Sequence, residues 1–139
     1  MNGDAGAARR RPDAASSRRL RLLAVEDNPE MQKLFTHFLA PQWDVDPAWD
    51  MESALQMASE TAYDAVLMDI NLGNKATGVD VLRALRGLPH YAGTPIIAVT
   101  AYALPGDRER FLGEGFDAYI GKPFGQQDLV GTLDGALAA

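Results

Sequence analysis

Five short apolar runs, each followed by a segment of helical spacing, restrict this chain more than any other feature of it. Leu20-Arg21-Leu22-Leu23-Ala24-Val25 opens the series, nearly continuous in apolar character, as a strand buried on both faces must be. Tyr63–Met68 reads as a central strand, its apolar run Ala65–Met68 leading directly to Asp69, and Pro95–Val99 and Ala118–Ile120 follow. Trp43–Trp49 is the weakest of the five, a short edge strand interrupted by Pro47. The intervening segments carry helix signals. Asn28 serves as N-cap and Pro29 as first helical residue of the first helix, whose core face is Met31, Leu34, Phe35, Phe38 and Leu39 and which Pro41 ends. Asp50 caps the second, with Met51, Ala54, Leu55 and Ala58 inward. The third runs from Val79 to Arg86, and Gly87, Pro89 and Gly93 break the chain after it. Pro105 opens a fourth containing Phe111 and Leu112, closed by Gly113 and Gly115. Gln126–Leu137 is the last, with Leu129, Val130, Leu133 and Leu137 inward. Strand and helix in strict alternation specify an α/β fold, a doubly wound parallel sheet with helices on both faces. Such a sheet binds its ligands at the C-terminal ends of its strands.

Composition narrows the chemistry. The 139 residues fit one domain, and 47% hydrophobic with 23% charged residues is ordinary for a globular chain. Without cysteine, disulfides, thiolate metal sites and a cysteine nucleophile are excluded. No apolar stretch approaches the roughly 20 residues of a membrane span, and the N-terminal arginines lack the apolar segment of a secretory signal. Charge is unevenly placed: residues 1–21 hold six arginines against Asp4 and Asp13, whereas the remainder holds 7 basic and 17 acidic side chains. Residues 1–18 lack apolar periodicity and read as a disordered basic tail, leaving 19–139 as the folded unit. An acidic body argues against nucleic acid as a direct partner.

Chemistry-bearing residues collect at the strand ends. Glu26 and Asp27 follow the first strand, Asp69 the third, Thr100 ends the fourth, and Lys122 lies two residues beyond the fifth. Three carboxylates brought together repel, each pair at 4 Å costing about 4 kcal/mol at an effective dielectric near 20. A cation or a shared proton must relieve that repulsion. All-oxygen ligands with few protein contacts suit Mg²⁺, or Mn²⁺ in its place, bridged to a phosphate. A carboxylate such as Asp69 can form an acyl phosphate, and an ammonium such as Lys122 can pair first with it and then with the transferred oxygens. Each residue also has a plainer reading: Glu26 and Asp27 as helix caps, Asp69 as a turn starter, Lys122 as a solvated lysine. Tyr119 either packs inside or lies outward near the fourth helix. Lys122-Pro123 is an X-Pro bond, for which the cis form costs little.

Four ordered motifs carry a family resemblance. Leu23-Ala24-Val25-Glu26-Asp27-Asn28, Val66-Leu67-Met68-Asp69-Ile70-Asn71, Val99-Thr100-Ala101-Tyr102 and Ile120-Gly121-Lys122-Pro123-Phe124 resemble the receiver domain of two-component response regulators, over about residues 20–138. The resemblance implies a flavodoxin-like (βα)5 fold with strand order 2-1-3-4-5. It implies that Asp69 takes a phosphoryl group from a histidine kinase or histidine phosphotransfer protein. It further implies that Glu26, Asp27, Asp69 and the backbone carbonyl of Asn71 hold Mg²⁺, and that Thr100 and Lys122 hold the phosphoryl oxygens. Tyr119 would be the aromatic that responds to Thr100, and Asn71 and Tyr102 would modulate the lifetime of the acyl phosphate. The loop from Asn71 to Gly78 departs from the family pattern: it lacks the usual Pro and is slightly longer. His37 and His90 offer no phosphoacceptor setting.

A phosphorylation switch is therefore expected, relaying its state through the face formed by the fourth helix, fifth strand and fifth helix. That face also leaves room for a homodimer. The expected setting is the cytoplasm, without membrane insertion. The starting Met1 leans toward a stand-alone regulator over a receiver excised from a hybrid kinase. Two readings from other classes compete. A metal-dependent phosphohydrolase with an Asp nucleophile would need a cap or insert for which the chain has little room, and a phosphorylation-independent binding module would not need Asp69, Thr100 and Lys122 together. Dinucleotide binding is disfavoured, since no Gly-x-Gly-x-x-Gly follows the first strand.

Overall fold

The computed structural model describes residues 19–70, 77–101 and 104–138. The expectations placed on the tail, on Asn71 and on Tyr102 lie outside these residues. The chain alternates β1 (Leu20–Val25), α1 (Pro29–Leu39), β2 (Trp43–Ala48), α2 (Met51–Glu60), β3 (Ala65–Asp69), α3 (Gly78–Arg86), β4 (Ile96–Thr100), α4 (Asp107–Glu114), β5 (Ala118–Gly121) and α5 (Gln126–Ala138). All pairings are parallel, and the order is β2-β1-β3-β4-β5. The expected sheet and strand order are both present.

Strand alternation divides the core in two. Leu23, Val25, Val66, Met68, Ile96 and Ala98 face α2, α3 and α4, while Leu22, Ala24, Leu67, Ile97 and Val99 face α1 and α5. β1 from residue 22 onward, β3 and β4 are central and buried on both sides, which is why they read as nearly continuous apolar runs. β2 tolerates Pro47 because it is an edge strand.

Caps set the helix starts. Asn28 Oδ1 accepts from the N–H groups of Glu30 (2.8 Å) and Met31 (3.3 Å), ahead of Pro29 at the first helical position. Asp50 and Ser53 form a reciprocal cap on α2, and Thr77 and Asp80 another on α3. Those two aspartates have carboxyls held below the usual range, chiefly by accepting backbone N–H bonds. α4 departs from the sequence reading. It begins at Asp107 after a left-handed Gly106 (φ 88°), not at Pro105, and Gly113 lies inside it, leaving the left-handed Gly115 (φ 118°) to close it. Pro89–Ala92 forms a short 3₁₀ turn where only a break was expected; buried Tyr91 anchors it by donating its hydroxyl to Thr61 O, 2.6 Å away.

Candidate functional site

Glu26 and Asp27 leave β1 at its C-terminal end, beside the end of β3. The sheet registers Val25 with Met68 and Asp69 with Val99, so the three acids meet at one edge. Carboxylate oxygens of Glu26, Asp27 and Asp69 all lie within 4.8 Å of one another. Two of the acids are buried, Glu26 at 1% exposure and Asp69 at 5%, while Asp27 is open to solvent. Thr100 ends β4 as expected, whereas β3 and β5 each run one residue further than read, to Asp69 and Gly121. Strand pairing holds their backbones, with Asp69 opposite Val99 and Thr100 opposite Gly121.

Lys122 reaches the cluster from β5. Its N–H donates to Thr100 O (2.7 Å), which fixes the loop, and the Lys122–Pro123 peptide is cis. Its ammonium lies 3.1 Å from Glu26 Oε1 and 3.6 Å from Asp69 Oδ1. The expected pairing with Asp69 is present, and a shorter one with Glu26 accompanies it. Glu26 Oε2 in turn accepts from Asn28 N–H at 3.1 Å. The cap of α1 is Asn28, however, so Glu26 holds the N-cap residue in place and does not cap the helix itself.

Burial pushes the Glu26 carboxyl up to about 7, the negative charge of Asp69 adds to the rise, and Lys122 and the Asn28 N–H oppose it. The sign of the linkage follows. A carboxyl that holds its proton more firmly when folded loses stabilising influence as pH rises from 4.5 to about 7. Metal-free wild type should lose melting temperature relative to Glu26→Gln across that window, as thermal unfolding at stepped pH would record. A bound divalent cation would displace the proton, so the thermal stabilisation given by Mg²⁺ should grow over the same window.

The donor set fits a hard divalent cation. It offers carboxylate oxygen only, is open on the Asp27 side, and carries more negative charge than Lys122 cancels. Gly78 keeps the geometry. Its N–H donates to Ile70 O at 2.9 Å, and a Cβ there would stand 2.5 Å from Asp69 O and 2.9 Å from Ile70 Cα. Gly78→Ala should cost about 1–3 kcal/mol, seen as a lower urea midpoint, because the backbone of Asp69 has to move.

Tyr119 lies near the fourth helix without being fully inside. Half-buried on the α4 face of β5, it stacks on Phe111 with centroids 5.9 Å apart and planes 19° apart. Burial and nearby Asp107 raise its hydroxyl pKa. Thr100 is 1% exposed and falls on the same face by strand alternation. His37 lies on the exposed side of α1, and the ring of His90 stands 2.9 Å from Tyr63 O, so neither reaches the acids.

Sequence reading missed Gln32. Its amide is buried in the second turn of α1 and donates to Ala24 O (2.9 Å) and Glu26 O (3.0 Å), with Ala48 O at 3.4 Å. The signal was its position in the stripe with Phe35 and Leu39, which hydropathy alone passes over.

Comparison with known proteins agrees with this geometry. The family model described as the response regulator receiver domain matches residues 22–134. The signal transduction histidine-protein kinase BarA of Escherichia coli is 34% identical over 113 residues, 81% of this chain but 12% of that protein. The polar-differentiation response regulator DivK of Brucella anthropi is 34% identical over 113 residues, 81% of this chain and 91% of its own length. The receiver domain of sensor histidine kinase PA1611 from Pseudomonas aeruginosa superposes with a TM-score of 0.79 at 34% identity, over 88% of this chain and 100% of that one, and holds a magnesium ion in its active-site cleft. Receiver domains are phosphorylation-dependent signalling modules, not metabolic enzymes, and interact with histidine kinases and phosphotransfer proteins. From its matched length, its sheet order and its acidic edge, this chain belongs to the response regulator receiver domain family.

Proposed function

We propose that Asp69 accepts a phosphoryl group from the phosphohistidine of a histidine kinase or phosphotransfer protein, and that residues 19–139 form the receiver unit. The observation that carries this reading is the ammonium of Lys122 seated against both Glu26 and Asp69, in a carboxylate cluster open to solvent only at Asp27. A carboxylate oxygen of Asp69 attacks phosphorus in line. A P–O bond forms as the P–N bond to imidazole breaks, and the departing nitrogen keeps the electron pair. Lys122 balances charge on the transferred oxygens and Thr100 offers its hydroxyl to one of them, so positioning and electrostatics do most of the work. Asp27, Asp69 and Glu26 would hold Mg²⁺ or Mn²⁺, which when bound supplies positive charge beside the phosphoryl oxygens.

Once Asp69 carries the phosphoryl group as an acyl phosphate, Lys122 and Thr100 face a dianion in place of a carboxylate. Their shift toward it is the event that biases Tyr119 and the start of α4, a helix whose N-terminus has a left-handed glycine and no side-chain cap. The face of α4, β5 and α5 then changes its affinity for a downstream protein or for a second copy of this chain. As a test, the chain is incubated with Mg²⁺ and a small phosphodonor. One alkali-labile phosphoryl group per chain is expected, and none when the metal is chelated before the donor is added. No incorporation, or steady turnover of a phosphate ester, would overturn the reading.

A further inference from the structure

We infer that Gln32 is a positioning residue for the acidic cluster, setting metal affinity through the main chain of Glu26. The amide nitrogen faces three carbonyl oxygens, two of them at good hydrogen-bond distance. Ala24 and Ala48 lie at the C-terminal ends of β1 and β2, and Glu26 N–H also donates to Ala48 O at 3.0 Å. One side chain thus ties the ends of both strands to the residue whose carboxylate meets Lys122. The amide orientation is forced, since a flipped group would set its oxygen against three other oxygens. Gln32 Oε1 is buried without a hydrogen-bond partner among the described residues. A buried acceptor left unmade costs about 1–3 kcal/mol, a cost that an apolar residue of similar shape would not carry at that atom. What the position asks for is therefore donors, aimed at the backbone beneath the acids.

Glu26 has little freedom to compensate. Its carboxylate is buried between the Lys122 ammonium and the Asn28 N–H. If its main chain drifts by a few tenths of an ångström, the carboxylate must leave one of those partners or move away from Asp27 and Asp69. Outer partners of metal ligands typically alter affinity about 10–100-fold when removed.

The inference rests on the metal site proposed above, and the test separates the two. Calorimetric titration with Mg²⁺ is run on wild type and Gln32→Met, with hydrogen exchange of the Glu26 amide followed in these and in Gln32→Arg, all metal-free. Wild type should bind one ion. Gln32→Met, which keeps the bulk and loses the donors, should bind about tenfold more weakly and lose protection at the Glu26 amide while remaining folded. Gln32→Arg offers donors without an acceptor but adds a buried positive charge that repels the cation, so its readout is the metal-free protein, in which protection of the Glu26 amide should stay at the wild-type level. Wild type that binds no Mg²⁺ overturns the site reading and this inference with it. Gln32→Met that binds as tightly as a competent wild type, with Glu26 exchange unchanged, overturns this inference alone. Should Gln32→Met not fold, loss of Glu26 amide protection in folded metal-free Gln32→Arg would count equally against it, since donors would then not suffice.

Discussion

Asp69→Asn should abolish phosphoryl uptake from both a phosphohistidine partner and a small donor while leaving the fold intact. The amide keeps the shape of the side chain but cannot attack phosphorus, and removing the nucleophile of a covalent step leaves only background chemistry. A fall beyond about a hundredfold is expected. Stability should move the other way. The charge of Asp69 helps raise the Glu26 carboxyl, so its loss lets Glu26 ionise more easily beside Lys122. Metal-free Asp69→Asn should therefore melt at or above the wild-type temperature near neutral pH, yet bind Mg²⁺ more weakly for want of a ligand. Radiolabelled phosphate incorporation with calorimetry checks both halves. Unchanged incorporation at an unchanged site would defeat the assignment of Asp69.

Lys122→Met should show the complementary pattern, in which metal binding survives and chemistry fails. The ammonium is the cation that contacts both Glu26 and Asp69 among the described side chains, and its side chain is 19% exposed. Without it, nothing but solvent and metal balances the charge that develops on the transferred oxygens. Loss of one preorganised charge partner of this kind costs about 10²–10³ in rate. Breaking a buried pair usually destabilises by about 3–5 kcal/mol, but here Glu26 has a ready relief. Its carboxyl already sits at about 7 and takes up a proton once Lys122 is gone. The loss in melting temperature should then be smaller at pH 6 than at pH 8, and Mg²⁺ should bind at least as tightly as in wild type. A variant that phosphorylates normally would show that Lys122 is structural.

Much of this was legible because burial on both sheet faces writes itself as unbroken apolar runs. The central strands β1, β3 and β4 stood out for that reason, and the charged residues just past their apolar parts marked the site edge. The chain hid what depends on register and on backbone shape. Asp69 looked like a turn residue because a polar side chain ends an apolar run, although ladder pairing with Val99 carries β3 one residue further. Pro105 looked like a helix start, but Gly106 adopts φ 88°, so α4 begins only at Asp107. Lys122 could be placed at the right edge, yet which carboxylate it approaches more closely depends on how β5 stands against β1, separated by two strands. Gln32 was hidden most deeply. A glutamine on the core stripe of a helix looks like a lapse in pattern until the three carbonyls it faces are seen. Gly78 is similar: its need for a bare Cα comes from the end of β3 passing beneath it.

A crystal structure of the protein grown with magnesium bears most directly on the account. It should hold one Mg²⁺ at about 2.0–2.1 Å from carboxylate oxygens of Asp27 and Asp69, with Glu26 close by and the Lys122 ammonium still beside the cluster. An ion bound elsewhere, or an empty acidic edge at a magnesium concentration that supports phosphoryl transfer, would contradict it.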